Sequence, residues 1–256
     1  MPNGTAFAFF SYESEAPTSD QLRRAYDYFD AKFRRLGAQP TYFGAGGYLK
    51  LKKYGGALHK RTLEDNFAPT KDGSLGFSIY CNPAGSDAPA YDYLALANYS
   101  YLPSESEAVL TFYAEDRYID APSSALEQLL GEVAALETWN FGQALSWPVE
   151  REPYMHLIGG MRRDGSEESR RQDKWYAAQA PERLVKVRDV YPYNMLNAQQ
   201  LAQPLPGSAT LRDFIARDPD SALKPLAPGL ELWTVEPEET ERVRAALAGT
   251  GILIAE

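Results

Sequence analysis

One cysteine and two histidines in 256 residues leave little material for several familiar chemistries. With Cys81 alone there can be no internal disulfide, so burial has to hold the fold, as suits a reducing compartment. Cys81 ends the apolar run that starts at Leu75 and reads as a packed, inert thiol, because buried cysteines behave as small hydrophobes. This inventory cannot supply a Cys2His2 set, which excludes structural zinc. A hydrolytic triad would need His59 or His156 beside a nucleophile and a carboxylate, and neither stands in a recognised context. His156, in the apolar segment Tyr154 to Ile158, reads as a hydrogen-bonded semi-core side chain. His59 adjoins Lys60 and Arg61, whose charges would lower its pKa, and reads as a residue of a solvated loop.

Long hydrophobic runs are missing too. Ala6 to Phe10 and Gly251 to Ala255 fall far short of the roughly 20 residues that cross a bilayer, so no membrane partner is expected. Met1 to Phe10 has no cationic segment ahead of its apolar stretch, which argues against a secretory signal and for a cytoplasmic protein. Basic charge is also short: 26 Lys and Arg face 35 Asp and Glu, for a net charge of −9, which disfavours nucleic acid. The acid-free stretch Lys50, Lys52, Lys53, Lys60 and Arg61 is the exception, and it reads as a solvated loop. Gly44 to Gly47 has neither phosphate-loop nor dinucleotide spacing, and no run matches an EF-hand loop. No cofactor or metal is expected, and no motif names a reaction, so the chain reads as a non-enzyme.

What the chain does have is a clear alternation of strand and helix signals. Ala6 to Tyr12 reads as a buried strand, and Thr18 with Gln21 forms a capping box opening a helix. Leu22, Tyr26, Phe29, Phe33 and Leu36 give that helix one apolar face, and Gly37 ends it. Thr41 to Phe43 is a short strand; Leu75 to Cys81, Tyr93 to Tyr101 and Ala108 to Glu115 form an antiparallel meander. Pro122 opens a second helix whose stripe is Leu126, Leu129, Leu130, Val133 and Leu136.

Composition shifts between Thr138 and Asp173, and the mixed charges of Arg162 to Lys174 read as an exposed loop or helix tip. Beyond it, Leu184 to Val190 reads as a strand, Asn194 as the cap of a short helix, and Leu211 to Ile215 as a helical turn. Leu230 to Val235 reads as a strand, Pro237 to Leu247 as a helix, and Ile252 to Ala255 as a closing strand. The fold class is α+β, antiparallel sheets with helices packed on one face. Two units are expected, 1–145 and 146–256, either separate or packed as one, each with strands flanking a helix as a duplication would give.

The densest signal is aromatic and acidic character placed together. Tyr91, Asp92 and Tyr93 begin one strand and Tyr99 and Tyr101 end it; Glu105 and Glu107 occupy the turn, and Tyr113, Glu115, Asp116 and Tyr118 follow. Tyrosine supplies rigid contact area with a polar tip, and carboxylates around it would steer a basic partner. The bland alternative is that half of these tyrosines are core and the acids keep the chain in solution.

The stretch Gly44 to Arg61, the Tyr91, Asp92, Tyr93 run, Val190 to Asn194, Leu211 to Asp213 and Leu232 to Val235 together resemble bacterial immunity-like proteins of the type VI secretion immunity family. That resemblance transfers no catalytic residue. It implies an α+β binding protein whose partner is a cognate protein toxin. A toxin acting in the cytoplasm, basic in charge, would suit the acidic surface. Two other readings stand beside it: a structural or adaptor subunit of a phage or secretion system, and a carboxylate-dependent enzyme that uses His156 on a small molecule.

Overall fold

The segment Asn3–Tyr12 is buried from Gly4 onward on both of its sides. A strand without polar alternation needs cover above and below, and here it lies in the middle of a sheet that has both. The computed structural model describes residues 2–12, 15–45, 51–71, 73–86, 92–119, 124–160, 165–207 and 209–256. In chain order the elements are β1 Asn3–Tyr12, α1 Ser19–Leu36, β2 Tyr42–Ala45, β3 Lys52–Lys53, α2 Ala57–Glu64, β4 Leu75–Cys81, β5 Ala95–Leu102, β6 Glu107–Glu115 and α3 Ser124–Ala134. There follow β7 Phe141–Pro148, α4 Pro153–Ile158, α5 Glu167–Ala177, α6 Ala180–Val185, β8 Tyr193–Asn197, α7 Ala198–Leu201, α8 Leu211–Arg217, β9 Ser221–Ala227, β10 Leu230–Val235 and α9 Thr240–Leu247. The described strands form one antiparallel sheet in the order β3-β2-β4-β5-β6-β1-β7-β8-β10-β9.

Period two sorts β1 between two cores. Phe7 and Phe9 face a cluster with Leu22, Phe29 and Phe33 of α1 and Leu126, Leu129 and Leu130 of α3. Phe7 is paired with Phe112 of β6, and their rings stack at 5.0 Å. Ala6, Ala8 and Phe10 point the other way, toward Tyr154 and Leu157 of α4 and Trp175 of α5. The helices expected on one face are therefore α1 and α3, and a second layer of helices covers the opposite face. A third cluster, around Trp233, joins β8 and β10 to α7, α8 and α9 through Leu196, Leu201, Leu211, Ile215 and Leu247.

Local signals explain the element ends. Thr18 and Gln21 make the capping box of α1, and Gly37 closes it in the left-handed region at φ 78. Proline at the start of α4 and the left-handed Gly159 after it bound a helix of 6 residues. Pro225 is tolerated in β9 because that strand is an edge and its missing donor would face outward.

The sheet runs on through Gly142↔Met195 and Ala144↔Tyr193, with β7 lying across residues 145 and 146. Several local expectations change. Leu184 to Val190 is not a strand: α6 reaches Val185, and Val187 makes a single parallel bridge with Leu253. That bridge is also all the β-structure in Ile252 to Ala255. Asn194 caps no helix; it lies in β8 and its side chain closes the turn at Tyr191, while Asn197 caps α7. Within Arg162 to Lys174, Ser166 caps α5, which buries Trp175. His59 is not in a solvated loop but buried on α2. Gly46, Gly47, Lys50, Pro122 and Arg162 lie outside the described residues.

Candidate partner-binding site

The expected acidic, tyrosine-rich surface is divided by the sheet. Tyr99 and Tyr101 are buried in the core beneath α1 and α3, and the Tyr99 hydroxyl donates to Glu137 at 2.6 Å. They are not available to a partner, because on β5 they share the face of Ala95 and Ala97. Tyr118 packs against the same core, with the Arg117 guanidinium 5.4 Å from its ring centre. Tyr93 lies on the opposite face. Tyr91 lies outside the described residues.

The acids separate along the sheet as well. Pairing runs from Ala95↔Ala114 to Leu102↔Glu107, so Glu105 and Glu107 sit at one end of the hairpin and Asp92, Glu115 and Asp116 at the other, about 23 Å apart at the usual strand rise. Glu107 is largely buried, 3.9 Å from Arg183, which in turn donates to the Tyr12 hydroxyl at 2.8 Å. Burial pushes the Glu107 carboxyl up to about 7 against the pull of Arg183. At the far end, Glu115 pairs with Arg117 at 2.6 Å and Asp116 accepts from the Asn3 amide at 3.1 Å.

That far end holds a groove. Tyr93 and Tyr113 line it with Val149, Glu150, Glu152 and Met155, around a volume of about 450 Å³. β6 supplies Tyr113, the residues just before β5 supply Tyr93, and the turn between β7 and α4 supplies the two glutamates. Tyr93 meets the edges of Tyr113 at 5.2 Å and 80° and of Tyr154 at 5.8 Å and 77°. Tyr113 is 2% exposed, and its hydroxyl has no hydrogen-bond partner among the described residues. Desolvation, then Glu115 and Asp116, raise its pKa, so the phenol stays protonated. Desolvation does the same to Tyr93, with Glu152 a smaller contributor. Glu150 and Glu152 are exposed, and their carboxylates have no hydrogen bond or ion pair among the described residues. Glu152 holds φ 49, a left-handed conformation uncommon outside glycine.

Of the expected residues, then, Asp92, Tyr93, Glu115 and Asp116 gather at this end, whereas Tyr99, Tyr101, Glu105, Glu107 and Tyr118 lie elsewhere. Sequence reasoning missed Glu150 and Glu152. Their signal was two glutamates between Pro148 and Pro153, a short turn with no apolar residue beyond Val149.

His156 lines a second cavity, of about 280 Å³, with Trp147, Arg151, Arg171, Glu241 and Arg244. Its Nε2 lies 3.0 Å from the Tyr191 hydroxyl and its Nδ1 3.2 Å from Gln172 Nε2, so both ring nitrogens are engaged by protein. Burial, then the guanidiniums of Arg188, Arg151, Arg244 and Arg171, holds the ring well below the ordinary histidine range, and neutral. The arginines are themselves occupied. Arg188 donates to the carbonyls of Leu157 and His156, at 2.7 and 2.8 Å, and Arg244 donates to Asp189 at 2.6 Å. This is a cross-linked wall between α4 and α9.

No family model and no curated protein matches the chain. Among solved structures, a Pseudomonas aeruginosa T6SS protein matches with a TM-score of 0.66 and 15% identity, over 98% of this chain and 77% of that one. At that identity the likeness establishes the fold. No helix among the described residues is long and apolar enough to cross a membrane.

Proposed function

We propose that this chain is a stoichiometric binding protein of a type VI secretion context, an immunity protein that neutralises a toxin acting in the cytoplasm. The observation that carries the reading is the groove, where Tyr93, Tyr113 and two unpaired carboxylates converge on one opening in a protein of net charge −9. Such a site attracts a basic surface and gains contact area from tyrosines that are already fixed by packing. Inhibition by occupation needs no turnover, and the protein-bound ring of His156 agrees with that. The likeness to a T6SS protein supports the secretion context, and the sequence resemblance supports the immunity role.

Size-exclusion chromatography with the product of the adjacent gene tests this, together with growth rescue when the two are expressed together. A one-to-one complex and rescued growth are expected; separate elution and unrelieved toxicity would overturn the proposal. A structural subunit of the secretion machinery is the second reading, favoured by the same fold likeness. It predicts self-association or binding to machinery components, with no rescue.

A further inference from the structure

Resting on that reading, we infer that the groove is a receptor for one arginine side chain of the protein partner. Its guanidinium would sit against the Tyr93 ring, beside the Tyr113 hydroxyl, with Glu150 and Glu152 at the mouth.

Four observations select this occupant. The volume of about 450 Å³ lies in the lower part of the range of about 300 to 1,000 Å³ usual for ligand pockets, which suits one long side chain rather than a docked helix. The two carboxylates at the mouth have no partner among the described residues, so a cation entering there displaces no ion pair of the fold. Tyr113 is 2% exposed as a residue, lines the groove and has no hydrogen-bond partner for its hydroxyl among the described residues, so that oxygen is free to accept from an N–H donor entering there. The half-buried Tyr93 ring, held edge to face by Tyr113, offers aromatic surface to a planar cation.

Arginine meets all four better than lysine. Its fork donates to a carboxylate and to a phenol oxygen at once, it stacks on aromatic rings, and it is more weakly hydrated than an ammonium and so enters a half-buried groove at less cost. Citrulline keeps the shape and loses the charge, which makes it the matched control.

The test has a peptide arm and a partner arm. In the first, the full chain is titrated with acetyl-Gly-Arg-Gly-amide, and aromatic NMR signals of Tyr93 and Tyr113 are followed. A saturable shift is expected, at least fivefold weaker with the lysine peptide and lost with the citrulline peptide. Tyr113→Phe and the double variant Glu150→Gln, Glu152→Gln should each weaken binding threefold to tenfold, and Tyr99→Phe should leave it unchanged. No shift, or equal shifts from the arginine and citrulline peptides, overturns the inference. In the second arm, the same double variant is measured against the adjacent-gene product. An unchanged affinity overturns the arginine receptor and leaves stoichiometric inhibition standing. Arginine-selective binding without any complex overturns inhibition by that partner and leaves the receptor standing.

Discussion

The Tyr99 hydroxyl donates a 2.6 Å hydrogen bond to the carboxylate of Glu137, 38 residues further along the chain. Glu137 also accepts from Gln21 at 2.9 Å, so this one carboxylate joins β5, the end of the α3 segment and the cap of α1. A tyrosine expected at an interface is thereby a structural tie. Tyr99→Phe should lower stability by about 1 to 3 kcal/mol through loss of a bond to a largely buried carboxylate. Urea unfolding measures the loss, and a variant as stable as the parent would show that the tie is not needed.

Gly76 of β4 has φ 144, and a Cβ there would stand 2.1 Å from the Tyr99 carbonyl oxygen. That oxygen is backbone of the neighbouring strand and cannot rotate away. Gly76→Ala should cost about 2 to 5 kcal/mol from strain and overpacking together, whereas Gly131→Ala, with its nearest side-chain atom at 3.8 Å, should fold normally. Paired thermal melts of the two variants decide the point.

Glu107 makes the stability of the protein fall as pH rises. Its folded pKa of about 7 stands above the ordinary 4.5, so the folded state holds a proton that the unfolded chain releases. The contribution is complete below 4.5 and is lost as pH climbs through 7. Glu107→Gln should therefore gain on the parent between pH 4.5 and 8, by a difference on the order of 1 to 3 kcal/mol. Equal gaps at both ends of the range would refute the assignment.

The histidines act with the opposite sign. Burial lowers the pKa of both His59 and His156 below 6.5, so their contributions are full above that value and diminish as pH drops beneath it. His59 accepts the Gly55 amide on Nδ1 at 2.9 Å and meets Tyr26 at 2.6 Å through Nε2, which calls for the neutral ring protonated at Nε2. Carbon-13 shifts of the two imidazoles should show both rings titrating below the ordinary 6.5 in the folded protein, His156 the further below; titration at 6.5 would contradict the burial of both.

Cys81 should be silent toward alkylating reagents in the native state. It is 2% exposed, and burial pushes its thiol up to about 12. Iodoacetamide modification followed by mass should track the unfolded fraction across a denaturant series rather than reagent concentration in buffer.

Period and caps made much of the fold legible. Leu22, Tyr26, Phe29 and Phe33 mark the buried side of α1 by their spacing, and Thr18 and Gly37 mark its ends, because both signals depend on residues within a few positions of each other. The same holds for β4, β5 and β6. Where local signals conflicted, the reading failed: Val187 to Val190 look like a strand, yet their apolar side chains are taken up by packing against the C-terminal segment.

Residue spacing and composition by themselves determined an α+β chain of net charge −9 with one cysteine, too few for a disulfide or a Cys2His2 set, since composition and short-range periodicity carry that information. Only the tertiary structure decided which tyrosines are reachable. Alternation tells which residues of a strand share a side, but which side is covered depends on helices far away in the chain. So Tyr99 and Tyr101 went beneath α1 and α3, while Tyr93 and Tyr113 came to line one groove with Glu150 and Glu152, which lie more than thirty residues further along the chain.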